Sequence, residues 1–224
     1  MSRTIIIGDI HGCLESLNNL LQKLFPLINE TDLLIFLGDY VDRGPDTKGV
    51  IDLLIKLKKK HPRVITLKGN HDFLFLHYLE TRESELFFQV GGLETLQSYT
   101  IDRRSSVPLN KIPAAHLHFL RDLPLIFEDQ NGIYVHAGIQ PHRHLTLQSP
   151  KWCLWARESF LKTTFELEKP IIFGHTVFQE PYVTKDKIGI DTGAVYGGLL
   201  TALILPEMEF IQVQGEQKSP YSND

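Results

Sequence analysis

The amino-acid sequence predicts an α/β fold, on three observations. Five short apolar runs, rich in Ile, Val, Leu or Phe, each end in glycine or histidine followed by polar residues. Helical patterns lie between the early runs, and the chain finishes in three further strand-like runs separated by turn residues. Buried strands alternating with amphipathic helices argue for a mostly parallel sheet.

The first run is "TIII", residues 4–7, before Gly8-Asp9. β-Branched residues stopping at Gly-Asp are how a buried strand ends. Residues 13–25, "CLESLNNLLQKLF", set Leu14, Leu17, Leu20, Leu21 and Leu24 on one helical face. The second run, "LLIFL", precedes Gly38-Asp39. Residues 46–60, "DTKGVIDLLIKLKKK", begin on an aspartate suited to capping and end in lysines that complement a helix C-terminus. The basic "KLKKKHPR" therefore reads as a solvated helix end. "VITLK" precedes Gly69-Asn70 as the third run. Residues 73–130 carry "FLFLHYLE", "SELFFQVGGLETLQSY" and "PAAHLHFLRDLPL", mostly helical, with a loop at "TIDRRSSVPLNK". They read as a helical insertion within a single domain spanning 1–216. "GIYV" precedes His136, and "PIIF" precedes Gly174-His175. The ending, "IGIDTGAVYGGLLTALILPEMEFIQVQGE", reads as antiparallel hairpins, and residues 217–224, "QKSPYSND", as a flexible tail.

A chain of 224 residues, 42% of them hydrophobic, is long enough to bury a substantial core. Its net charge of -4 supplies no basic field, which argues against nucleic acid as the main partner. No apolar run approaches the ~20 residues that cross a bilayer, and "MSRTIIIGD" enters a strand without a signal-peptide apolar region. The expectation is a soluble, cytoplasmic protein with no membrane partner. Cys13 and Cys153 make neither a disulfide framework nor a metal-type spacing, and Cys13 reads as a small packed residue.

The polar residues after the five runs are Asp9 and His11, then Asp39, Asp42 and Arg43, then Asn70 and His71, then His136, and last His175. Ligands gather beyond the carboxyl ends of strands in α/β sheets, so these clusters are expected to converge. Each alone has a plainer structural reading. Asp9 suits a turn, Asp42 and Arg43 a loop salt bridge, and Asn70-His71 a helix cap beside a core histidine. His136 and His175 could be satisfied buried imidazoles. Together they form an Asp/His/Asn shell without thiolate, suited to manganese, iron or zinc. The set exceeds one tetrahedral site. Two ions sharing a carboxylate, roughly 3.5–4 Å apart as in phosphatases, would use it all.

In order along residues 8–176, "GDIHG", "GDYVDRG", "GNHD", "HAG" and "GHT" resemble the signature of the metal-dependent phosphoprotein phosphatases, within the calcineurin-like metallophosphoesterases. The ending "WAR…FGHT…IDTGAVYGG" is similar to that of the compact phage lambda and bacterial serine/threonine protein phosphatases. The resemblance implies a β-sandwich flanked by helices, four layers in the order αββα, with a dimetal site at the carboxyl ends of the strands. It implies one divalent metal held by Asp9, His11 and a bridging Asp39, and a second held by Asp39, Asn70, His136 and His175. Manganese (Mn2+) is the first expectation, iron or zinc the next. His71 is implied as the general acid for attack by metal-activated hydroxide, with Asp42 orienting it. Arg43 and Arg157 are implied as grips on phosphate, as guanidinium forks suit.

The activity implied is phosphomonoester hydrolysis, with phosphoserine or phosphothreonine in proteins as first substrate. The alternative is diadenosine tetraphosphate or a related dinucleotide. Asp42 and the ending favour the phosphatase, whereas "GNHD" and Pro45 match the dinucleotide hydrolases. A silent binding scaffold should have lost a ligand, and none is lost. Outside the motifs lie His61, His77, His116, His118, His142 and His144, the last two expected on a surface loop.

Overall fold

The structure, a computed structural model, describes residues 3–101 and 111–216. Strands β1 (Thr4–Ile7), β2 (Leu33–Phe36) and β3 (Val64–Thr66) lie side by side and parallel, in registers such as Ile6↔Ile35↔Ile65. Helices α1 (Leu14–Leu24) and α2 (Thr47–Lys60) return the chain between them. The Asp46 carboxylate caps α2 by accepting from the Gly49 N–H at 2.8 Å. Helix α1 has no such cap of its own. Glu216, at the other end of the described chain, accepts from the Ser16 N–H at 2.8 Å.

Residues 70–121 carry α3 (Asn70–Thr81), α4 (Glu85–Gln89), α5 (Gly92–Ser98) and α6 (Ala114–Arg121), whereas the end of the stretch 73–130 expected to be helical holds a strand, Ile126–Glu128. The expected loop falls largely on residues 102–110 and the expected tail on 217–224, both outside the described residues. A second sheet then begins. Its strands β4 (Ile126–Glu128), β5 (Ile133–Val135), β6 (Ile171–Phe173), β7 (Tyr182–Val183) and β8 (Lys187–Gly189) stand in the order β4-β5-β6-β8-β7. The middle three are parallel and the outer two antiparallel. Between β5 and β6 lie α7 (Pro150–Trp155) and α8 (Glu158–Leu161). The chain finally rejoins the first sheet through β9 (Asp191–Thr192), β10 (Leu199–Leu205) and β11 (Glu209–Gln214), giving β11-β10-β1-β2-β3 with β9 beside β10.

Two expectations need correcting. The five runs do not share one parallel sheet: β1, β2 and β3 belong to one, β5 and β6 to the other. Nor are the last three runs all hairpins. β10 and β11 pair antiparallel, but "IGI" contributes to β8, parallel to β6 in the other sheet. Ile188 and Ile190 both pack between the sheets, and that burial determines where the segment lies.

Strand alternation sorts the apolar side chains into three cores. Ile5, Ile7, Leu34, Phe36, Ala202 and Ile204 face α1, α2 and the helices of residues 70–121. Ile6, Ile35, Leu37, Tyr134, Ile172 and Leu203 meet between the sheets. Ile133, Val135, Ile171 and Phe173 pack against Cys153 and Phe160 on α7 and α8. Three interfaces make four layers, αββα. Among the described residues, no helix is long and apolar enough to cross a membrane.

Candidate metal centre

The polar residues that follow the strand ends come together along the seam of the two sheets. Backbone geometry already marks the place. Nine non-glycine residues among those described have positive φ, and His11, Asp39, Asp42, Arg43 and His175 are five of them. Left-handed backbone costs an L-residue roughly 1–2 kcal/mol, and such strain collects at functional sites. Glycines allow the close approach. A Cβ on Gly69 would stand 2.0 Å from Asp39 Oδ1, and one on Gly174 would stand 2.0 Å from Asp9 Oδ1.

Asp39 is the centre of the cluster. Its Oδ2 lies 3.4 Å from His11 Nε2 and 3.4 Å from His136 Nε2. Both imidazoles have their other nitrogen engaged. The His11 Nδ1–H donates to the Val41 carbonyl at 2.8 Å, and the His136 Nδ1–H donates to the Leu37 carbonyl at 3.0 Å. That fixes each tautomer and turns the Nε2 lone pair inward, the arrangement metal-binding histidines use. His136 Nε2 also sits 2.9 Å from Asn70 Oδ1, which lies 2.9 Å from His175 Nδ1. An imidazole lone pair, an amide oxygen and a carboxylate oxygen thus face one another. Acceptors so disposed call for a cation between them.

Charge balance makes the same demand. Burial pushes His11, His136 and His175 down, His175 to about 3, so they are neutral at pH 7, the form that can bind a metal. Burial, then the charges of Asp191 and Asp39, pushes the Asp9 carboxyl well above the carboxylate range. Burial would raise Asp39 as well, but the imidazoles around it more than offset that and hold it low. Asp9 Oδ2 accepts from the His175 N–H at 2.9 Å, while Asp9 Oδ1 and His175 Nε2 are buried without a hydrogen-bond partner. These orphaned atoms fit a metal, and the all-oxygen-and-nitrogen donor set suits a borderline divalent ion. Ligand-capable atoms of Asp39, His136 and His175 lie within 4.8 Å of one another, as do those of Asp39, His11 and His71. Asp39 belongs to both groups. Asp9 falls outside these two groups, and its hydrogen bond to the cluster runs through the His175 N–H.

His71 and Asp42 form a buried pair. The His71 Nδ1–H donates to Asp42 Oδ2 at 2.7 Å, with side chains 2% and 0% exposed. Burial lowers the imidazole, but the Asp39 charge and the Asp42 hydrogen bond outweigh it and hold His71 above its ordinary value. Such a histidine keeps its proton and can give it away. Three partners escaped the sequence reading. Thr95 Oγ–H donates to Asp42 Oδ1 at 2.7 Å and accepts from the Asp42 N–H at 2.8 Å. Asp72 accepts from the Asp39, Tyr40 and Gly69 N–H groups at 2.9–3.0 Å and so pins the loop that carries Asp39. Asp191, buried and pushed up to about 6 by burial, adds a third carboxylate beside Asp9 and Asp39. Asp72 lies in "GNHD" and Asp191 in "IDTGAVYGG", but neither is singled out there, and Thr95 lies in no motif.

The two arginines differ. Arg43 Nη1–H donates to His11 Nε2 at 2.8 Å, and its guanidinium lies 5.5 Å from the Tyr196 ring centre. Arg157 is exposed at the start of α8, and its charge bears on His136, His175 and Asp191. His142 and His144 are exposed, as expected, while His116 is buried between Tyr99 and Asp52. Cys13 is packed, its thiol pushed up to about 12 by burial, and is inert at neutral pH.

A fold of this kind with such a centre is that of a hydrolase of phosphate esters. The chain belongs to the calcineurin-like phosphoesterases, whose family pattern matches residues 2–179. It is 31% identical to a protein of Oceanobacillus iheyensis named bis(5'-nucleosyl)-tetraphosphatase PrpE [asymmetrical], covering 95% of this chain and 92% of that one. A Bacillus cereus protein of the same name is 30% identical over 93% of this chain and 92% of that one. A crystal structure carrying the provisional name diadenosine tetraphosphatase superposes with a TM-score of 0.75 at 26% identity, covering 97% and 95% of the two chains. A cold-active protein-tyrosine phosphatase of Shewanella shares the fold, with a TM-score of 0.70 at 17% identity, over 95% of this chain and 77% of that one.

Proposed function

We propose that the protein hydrolyses dinucleoside tetraphosphates asymmetrically, releasing a nucleoside monophosphate and a nucleoside triphosphate. The observation that carries this reading is the kinship along 95% of the chain with proteins named for that activity. It reverses the order of substrates expected from the motifs, where a phosphoprotein came first.

In this reading Asp9, His11 and Asp39 hold one divalent ion, and Asp39, Asn70, His136 and His175 hold the other. Manganese is the first expectation, with iron or zinc next. Ions at such a site, when bound, acidify a water and neutralise charge on phosphate. The chain's own residues do the rest. Arg43 and Arg157 grip phosphate oxygens through their guanidinium forks. His71 protonates the leaving oxygen, Asp42 holds the imidazole in the Nδ1–H tautomer with Nε2 turned outward, and Thr95 holds Asp42.

A second reading, phosphoserine or phosphothreonine hydrolysis in proteins, has one observation in its favour. The buried His71–Asp42 pair is complete at 2.7 Å, and an alkoxide leaving group needs an acid more than a polyphosphate does. The deciding assay sets metal-reconstituted protein against diadenosine tetraphosphate and a phosphoserine peptide side by side. AMP and ATP should appear with a kcat/KM well above that for the peptide, and chelator should abolish both activities. Faster peptide turnover would reverse the assignment, and ADP as the sole product would refute the asymmetric cut.

A further inference from the structure

Among the described residues four phenylalanine, tyrosine or tryptophan rings are exposed: Phe25 at the end of α1, and Phe73, Trp155 and Tyr196. Phe73 is 39% exposed and Trp155 37%, against complete burial of Tyr40, Phe36, Phe75 and Phe87. Phe73 lies two residues after His71 on α3, and Trp155 two residues before Arg157 at the end of α7. Their rings meet edge to face, centroids 5.3 Å apart. His77 lies parallel to Phe73 at 6.2 Å and 6°, itself tied to Glu83 at 3.1 Å. Trp155 and Arg157, with Lys151, Trp152 and Glu158, line a hollow of about 540 Å³, and Phe73 is not among its lining residues. That volume lies within the roughly 300–1,000 Å³ of small-molecule sites.

Phe73 and Trp155 pack on each other and still leave more than a third of their surface open beside His71 and Arg157. Tyr196, the other exposed aromatic at the centre, already has Arg43 over its face. Phe73 and Trp155 keep open surface. The pair thus stands close in the chain to the two groups proposed to meet phosphate, His71 and Arg157.

We propose that Phe73 and Trp155 form a stacking platform for one nucleobase of the substrate, a purine whose 5'-phosphate is held at Arg157 and His71. The inference rests on the nucleotide reading above and adds the place and residues of base recognition. Every base has a π face, so such a platform takes purines without reading their edges.

The test is equilibrium binding to metal-loaded protein, independent of turnover. The chain has two tryptophans, so Trp152→Phe leaves Trp155 as the only indole reporter. AMP should quench Trp155 fluorescence and ribose 5-phosphate, which lacks the base, should not. Trp155→Leu and Phe73→Leu should each weaken AMP binding roughly five- to a hundredfold, the range of one base stack, leaving ribose 5-phosphate affinity unchanged. Trp155→Phe should retain most of it. The platform is overturned if AMP and ribose 5-phosphate bind the parent protein equally, or if the leucine variants lose both alike. Tighter binding of a phosphotyrosine peptide than of AMP would also overturn it. Failure to cleave diadenosine tetraphosphate would count against the activity, whereas the AMP titration alone decides the platform.

Discussion

Thr95→Val removes one oxygen atom and keeps the shape, which makes it a clean probe of the buried pair at the centre. The hydroxyl donates to Asp42 Oδ1 at 2.7 Å, accepts from the Asp42 N–H at 2.8 Å and lies 3.3 Å from the Thr47 hydroxyl oxygen. A bond to a charged group is worth about 1.5–3 kcal/mol, and an orphaned buried N–H costs about 1–3 kcal/mol. With partial relaxation the variant should be less stable by about 2–4 kcal/mol, or about 4–16 °C in Tm for a chain of this size. Catalysis should suffer too. Burial already raises the Asp42 carboxyl, and the His71 and Thr95 hydrogen bonds are what oppose it. Without Thr95 the carboxyl moves further toward its neutral form and holds His71 less firmly. kcat on a phosphoserine peptide should fall about tenfold or more, within the ~10²–10⁴-fold span of general-acid catalysis. Thr95→Ser keeps the hydroxyl and should lose only a methyl contact. Urea unfolding and steady-state kinetics on both variants check this. If Val and Ser behave alike in stability and rate, the account of the pair is wrong.

His71→Asn should lower kcat by ~10²–10⁴-fold on an alkyl phosphate and by much less on p-nitrophenyl phosphate, whose leaving group needs little protonation; equal losses count against the acid role. Arg43→Ala should weaken inhibition by inorganic phosphate roughly ten- to a hundredfold, and Arg43→Lys should recover only part, since a point charge lacks the fork; an unchanged inhibition constant rejects the grip. Burial raises the Asp186 carboxyl, but bonds from Lys187, the Phe165 N–H and Thr184 outweigh it and bring it down to about 2. A depressed folded value stabilises above the unfolded value of about 3.9 and is lost as pH falls through the folded one. Asp186→Asn should therefore cost about 2 kcal/mol at pH 7, and the difference from the parent should shrink between about pH 4 and pH 2. A gap constant across that range in urea titrations would sink the idea.

The strands that carry the centre were legible because each is a β-branched run ending at a polar residue, a local pattern. β7 and β9 were not, since two residues leave no pattern to read, and β4 lay inside the stretch read as helical. The sheet to which β8 belongs was illegible for another reason. "IGIDTG" looks the same whether Ile188 pairs with a hairpin neighbour or with Ile172, and only the packing between sheets decides. The candidate site residues could be named from order and spacing. Their supports could not, because a threonine inside "GLETLQ" has no signature, and Asp72 shows its function only when three distant N–H groups converge on it.

Asp9, His11, Asp39 and Asn70 stand beyond strands of one sheet, while His136 and His175 stand beyond strands of the other. An ion gripped by both sets would be a rivet through the sandwich, and its affinity would become part of the work of prising the sheets apart. At a hundredfold excess over Kd that linkage is worth about 2.7 kcal/mol. The amides of β2, β3, β5 and β6, rather than those of the outer helices, should gain hydrogen-exchange protection when the ion is added. Stripped of it, the protein would lose the tie between its halves together with its chemistry.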